Sequence, residues 1–268
     1  MSGFRCLYEC GSGAASTDEY HVYSRSASTL ELTLPPGIVC DACNNYFSQL
    51  ENHFTQHHPG SSARIFHIDR TRKGKPPKFN HAAGAIECVD DAGLRNMTTK
   101  LDPGAMRVEF DPNGDLHFVS SITPHGFDAA IVSRVIHKIA FEGLLFFRDK
   151  PELNPTDPRF APMRDYIRRP ASGQTFQPFA WRKLLQSQQQ PYILTASDNA
   201  TGKAVDFCVV TLPDTEYVIP LPPWPIPEEF WKALGDHTIV SQPGHVALDP
   251  QEVRLTLRQS PEDEARPR

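Results

Sequence analysis

The stretch VCDACNNYFSQLE, residues 39–51, decides how the rest of the chain is read. Two cysteines stand in a C-x-x-C pair, two asparagines follow at once, and the chain then enters an amphipathic segment. Tyr46, Phe47, Leu50 and Phe54 recur at roughly helical spacing, and Asp41 stands where an N-cap would. A C-x-x-C pair can be a redox couple, half of a metal site, or two unligated thiols. Only residues elsewhere in the chain choose between these.

The N-terminal partner is RCLYECGS, in which Cys6 and Cys10 form a C-x3-C pair ahead of Gly11. Zinc takes four thiolate or imidazole ligands in a tetrahedron, and two tight turns, each donating a pair, supply that geometry. Cys6, Cys10, Cys40 and Cys43 therefore read as a structural zinc site. The redox alternative is weaker, because no thioredoxin-like βαβ pattern follows CDAC. Cys88 and Cys208 stand alone in strand-like runs and read as core residues.

Working outward, TLELTLPPGIVC reads as a strand closed by a Pro-Pro-Gly turn, and the N-terminal module ends near HHPGSS at residue 60. Short β-like runs follow between residues 82 and 123 (GAIECV, MRVEF, LHFVSSI). Asp-Pro-Gly and Asp-Pro-Asn-Gly turns separate them, as in a small antiparallel sheet. FDAAIVSRVIHKIAFEGLLFFRD is the clearest helix, with Ile131, Val135, Ile136, Ile139 and Leu144 marking its buried face. A shorter helix is expected at PRFAPMRDYIRR. Strands return at PYILTAS, AVDFCVVTL and EYVIPL, followed by a short helix at PEEFWKALG. The polar tail from residue 257 reads as disordered. The expected fold class is α+β: an N-terminal zinc-stapled module over 1–60, then a mixed α/β domain over 61–256 with antiparallel strands and a central helix.

The 268 residues are 39% hydrophobic and 22% charged, an ordinary globular composition that excludes collagenous and wholly disordered classes. The 25 prolines gather in loops such as PLPPWPIPEE. MSGFRCLYEC has no apolar segment behind a basic start, and IAFEGLLFF is too short to span a bilayer and carries Glu142. The expectation is a cytoplasmic protein with no membrane partner. The net charge of −5 excludes a uniformly basic coat but allows a local basic face.

Between the cysteine pairs lies EYHVYSRSAST, and with CLYECGS and LTLPPGIVCDACNNYFSQLE it resembles the HNH (ββα-metal) endonuclease family, specifically its zinc-stapled bacterial subgroup. The resemblance covers residues 4–52, and the helix SRVIHKIAFEGLL with PRFAPMRDYIRR extends it to about residue 170. It implies that His21 is the general base that activates water against a DNA phosphodiester. It also implies a catalytic Mg²⁺ or Mn²⁺ ligated by Asn44, beside the structural Zn²⁺. The family's second acidic or imidazole ligand position is held here by Tyr20. Glu19 is one residue off and could take over that role if a bulge re-aimed it. Such nucleases often serve in restriction or phage defence.

Double-stranded DNA is the partner this implies, held through its phosphates by Arg64, Arg70, Arg72, Lys73, Lys75 and Lys78. The same segment also reads as a solvated loop. Arg168, Arg169, Arg182 and Lys183 form a second basic group. Cutting both strands needs two active sites, which a homodimer would supply. His53, His57 and His58 suit a helix C-terminus better than a metal, and His137 reads as a core residue. Read without the resemblance, His21 is a surface histidine. The competing function is then a catalytically impaired, zinc-stapled module that binds nucleic acid or protein.

Overall fold

A computed structural model describes residues 5–11, 15–17, 19–22, 32–57, 75–76, 78–81, 84–91, 94–101, 106–110, 116–122, 128–147, 149–170, 177–183, 191–197, 202–212, 215–232, 239–241 and 251–257. The N-terminal part is a two-stranded hairpin followed by a helix. Strand β1 (Tyr20–His21) pairs antiparallel with β2 (Thr33–Leu34), placing Tyr20 opposite Leu34 and His21 opposite Thr33. The Pro35-Pro36-Gly37 turn after β2 needs a left-handed residue, and Gly37 supplies it at φ 86°. Helix α1 (Asp41–His57) begins at Asp41 itself, so this residue sits in the first turn and not at the cap. Its carboxylate there complements the helix dipole. Phe47 and Phe54 are buried on its inner face, with Tyr46 and Leu50 half-buried beside them.

The central helix α2 (Ala129–Gly143) is capped by Asp128, whose carboxylate accepts from the amides of Ala130 and Ile131 at 2.9 and 3.1 Å. Val135, Ile136, Ile139 and Leu144 are buried as their spacing predicts, whereas Ile131 is only half-buried. The helix is in fact covered nearly all round: His137, Lys138 and Glu142 are buried with Val132, Ala140 and Phe141. It packs on α1, on the five-stranded sheet and on α3 (Ala161–Arg168), which lies where PRFAPMRDYIRR predicted a helix.

The runs between 82 and 123 do not make one sheet. Strands β3 (Lys78–His81), β4 (Gly84–Asp91) and β5 (Leu94–Leu101) form one antiparallel sheet. Strands β6 (Met106–Phe110) and β7 (Leu116–Ile122) form another, completed by β13 (Gln251–Leu257) from the far end of the chain. A third antiparallel sheet joins β8 (Phe179–Lys183), β9 (Tyr192–Ser197), β10 (Ala204–Leu212), β11 (Thr215–Pro220) and β12 (Ile239–Ser241) in the order β12-β8-β11-β10-β9.

Alternation along β10 sorts the core of this sheet. Cys208, Val210 and Leu212 face α2, and the Cys208 thiol reaches the Ala140 carbonyl at 3.8 Å. Phe207 and Val209 face the other way, onto Phe230 and Trp231 of α4 (Glu228–Lys232) and its flank. Cys208 is thus a core residue, and burial pushes its thiol up to about 12. Cys88 lies on β4, with its side chain outside the description. Among the described residues, no helix is long and apolar enough to cross a membrane. One hydrophobic core runs from Cys6, Tyr8, Val22 and Phe47 through Val135 and Phe141 to Cys208 and Ile219. The hairpin and α1 therefore share their interior with α2 and the large sheet.

Candidate metal centre and the strand beside it

Cys6 and Cys10 flank a tight turn in which the Glu9 amide donates to the Cys6 carbonyl at 2.8 Å. Glu9 and Gly11 both have positive φ, 46° and 77°, which curls the chain so that both sulfurs point inward. The Leu7 amide donates to the Ile38 carbonyl at 2.9 Å, bringing this turn against the start of α1. There the Cys43 amide donates to the Cys40 sulfur at 3.4 Å.

The four Sγ atoms lie within 4.8 Å of one another, with Cys10 and Cys40 at 3.3 Å and Cys6 and Cys43 at 3.9 Å. A zinc tetrathiolate with Zn–S of about 2.3 Å has sulfur–sulfur edges of roughly 3.8 Å, so the tetrad has the size such an ion needs. Three of the sulfurs belong to buried residues and Cys10 is half-buried, and all four thiols are free of disulfides. The contact shared with Cys43 draws Cys6 down to about 5, and the same contact, with burial, pushes Cys43 up. Bound metal would hold all four as thiolates.

Helix α3 braces this centre. The Arg168 guanidinium donates from Nε to the Cys43 sulfur at 3.3 Å and lies over the Tyr46 ring at 4.1 Å. Arg164 pairs with Glu9, in the first cysteine turn, at 3.2 Å. Arg134 of α2 donates to the Tyr46 hydroxyl and to the Ile167 carbonyl. Arg168 is therefore engaged with the cysteine centre and is not part of a free basic face. Arg169 is exposed and paired with Asp165 at 3.4 Å. Replacing Arg168 by Gln removes the N–H···S bond and the stacked cation. The expected result is about 10–100-fold weaker zinc binding, read by competition with a chromophoric chelator. An unchanged affinity would exclude the brace.

Sequence placed the candidate chemistry on β1 and the first turn of α1. His21 is half-buried, while its neighbours Tyr20 and Val22 are buried. Strand alternation thus sets His21 on the face opposite Tyr20, the same face as exposed Glu19. Asn44 is half-buried, and its amide donates to the Cys40 carbonyl at 2.9 Å. Among the described residues, the cysteine tetrad is the one group of three or more His, Cys, Asp or Glu gathered as metal ligands.

Arg64, Arg70, Arg72, Lys73 and His58 lie outside the described residues, as does the turn at 58–62. Lys75 and Lys78 are exposed, and Lys78 lies 3.6 Å from Glu87 on the adjacent strand. Arg182 and Lys183 are on β8, in register with Glu216 and Thr215. His53 and His57 both belong to the C-terminal half of α1. His137 is a core residue, as expected, but it is not fully satisfied: Nδ1 meets the Ser133 carbonyl at 2.7 Å, while Nε2 faces the core without a hydrogen bond. Burial lowers its pKa to about 4.

Sequence reading missed a buried charge cluster behind β1. Lys138 of α2 is 1% exposed, with its ammonium 2.5 Å from Glu51 of α1 and 3.0 Å from Glu142 one helical turn on. It donates to the Val22 carbonyl at 3.0 Å and lies 4.8 Å from the centre of the Tyr20 ring. The Tyr8 hydroxyl donates to Glu142. Burial works to lower the Lys138 pKa, but the charges of Glu142 and Glu51 outweigh it and hold the ammonium above its ordinary value. Tyr20 is raised first by burial and then by the charge of Glu142. The available signal was a lysine and a glutamate four apart, Lys138 and Glu142, on the helix whose spacing buries it.

Fold and site together define an α+β protein with a four-cysteine centre able to hold a metal such as zinc. Comparison with protein-family models, curated proteins and solved structures finds no match for this chain.

Proposed function

We propose that the chain is a metal-dependent endonuclease of the HNH type that hydrolyses DNA phosphodiester bonds. The observation that carries this reading is one local arrangement. The hairpin bearing His21 leads directly into α1, and the start of that helix is joined to the N-terminal turn by the Cys6, Cys10, Cys40, Cys43 tetrad. Hairpin then helix is the element order expected of a ββα-metal module, in which zinc on the tetrad would serve as the staple.

In this reading neutral His21 takes a proton from water as the water oxygen bonds to phosphorus. The bond from phosphorus to the leaving sugar oxygen breaks in line, and that oxygen then takes a proton from solvent. Bound Mg²⁺ or Mn²⁺ supplies charge stabilisation at the leaving oxygen. Asn44 would offer it a carbonyl oxygen, and Glu19 a carboxylate on the face of His21. The segment from Arg64 to Lys78 holds the duplex through its phosphates, which makes binding salt-sensitive. The working setting is a cytoplasmic homodimer in restriction or phage defence.

A second reading has its own observation. Tyr20 occupies the usual ligand position, is 3% exposed, and lies beneath the Lys138 ammonium, so it offers nothing to an ion. That favours a zinc-stapled binding module without catalysis. Plasmid nicking with Mg²⁺ or Mn²⁺, beside His21→Ala, separates the two. The nuclease reading expects nicking by the wild type and a loss of about 100-fold or more in the mutant. Binding without cleavage by either protein supports the second reading.

A further inference from the structure

We propose that Lys138 is a positioning residue for His21, holding the strand that presents the imidazole at a set distance from helix α1. The inference rests on the reading of His21 as the general base. Its evidence is the set of partners this one ammonium has. It bonds the Val22 carbonyl at 3.0 Å and sits 4.8 Å over the Tyr20 ring, so it grips both chain neighbours of His21. It also pairs with Glu51 at 2.5 Å, on the same helix whose first turn carries Asn44. Glu142, held by Tyr8, anchors the ammonium from behind at 3.0 Å.

A buried ion pair is seldom the most stable filling of a core, and an apolar side chain of similar length often does as well or better. What methionine could not do here is bond the Val22 carbonyl, just past β1, and a carboxylate on α1 at once. The ammonium joins two elements that carry the two halves of the candidate site. The hairpin is also held by its two paired positions, by the Val22 amide donating to the Leu32 carbonyl at 2.9 Å, and by the burial of Tyr20, Val22 and Leu34 in the shared core.

The test is Lys138→Met in the full-length, zinc-loaded protein, held well below its Tm. Glu142 can take a proton when the lysine is gone, and Glu51 is partly exposed to water, so the core should tolerate the change. Zinc content should stay stoichiometric. Amide exchange at Val22 should speed by about tenfold or more, because the carbonyl of that residue loses its tether. Cleavage should lose about 100-fold in kcat, with KM within about twofold, the pattern of a reacting group displaced by about 1 Å.

Unchanged Val22 exchange would overturn the proposal, as would an unchanged kcat. If Lys138→Met does not fold, Lys138→Met with Glu142→Gln removes the leftover carboxylate and carries the same readings. A wild type that cuts no DNA ends the nuclease reading separately. The clamp is then judged by Val22 exchange alone, and equal protection in both proteins overturns it.

Discussion

Cys40→Ser protein is expected to purify without zinc and with its hairpin and first helix unfolded, while the wild type carries near-stoichiometric metal. Serine is a poor zinc ligand at neutral pH, and the three remaining thiolates lose the tetrahedral closure that makes the site tight. Structural zinc in small modules contributes about 10–16 kcal/mol of apparent binding energy at neutral pH, and there binding energy is folding energy. Among the described residues, the strands of the N-terminal elements are short, with β1 and β2 two residues each. Their interior, Tyr8, Val22, Leu34 and Phe47, joins the core of α2. The damage should therefore reach Val135 and Phe141 and appear as a lower Tm for the whole chain. Elemental analysis and thermal denaturation, with and without chelator, check this. A folded, zinc-free wild type would end the metal reading.

The second large effect is expected at Glu142. Glu142→Ala leaves the Lys138 ammonium with the single carboxylate of Glu51 and removes the acceptor of the Tyr8 hydroxyl. Removing one partner of a buried pair costs about 3–5 kcal/mol, since the other charge stays buried. Glu142→Gln should cost less, because the amide still accepts from Tyr8.

The pH dependence separates the two roles of the carboxyl. Burial pushes Glu142 up to about 7, against the pull of Lys138 and Tyr8. Between its ordinary value of 4.5 and about 7, the folded protein then holds more of this proton than the unfolded chain. The stability this group confers is full at the acid end of that window and is lost as pH rises through about 7. Urea denaturation of the wild type at pH about 5 and about 8 should show that fall, and Glu142→Gln should flatten it. Equal slopes in both proteins would mean that Glu142 is not the titrating group.

The amino-acid sequence by itself determined the parts governed by local chemistry. Two cysteine pairs in tight turns, with Gly11 and Gly37 where positive φ is required, specify the tetrad almost without reference to the rest of the fold. Helices α1, α2 and α3 follow from their periodicity, and the β10 alternation tells which side chains face α2.

The tertiary structure alone decided three matters. The strands between 82 and 123 split into two sheets, because β6–β7 recruits β13 from the far end of the chain and pairing of that range carries no local signature. Arg168 turned from a candidate phosphate contact into the brace on Cys43, and Lys138 from one of three charges on α2 into the tie between Val22, just past β1, and α1. The physical reason is the same for both: a long cationic side chain has the same sequence whether its charge ends in water or in a buried cage. Only the elements packed around it choose between those ends.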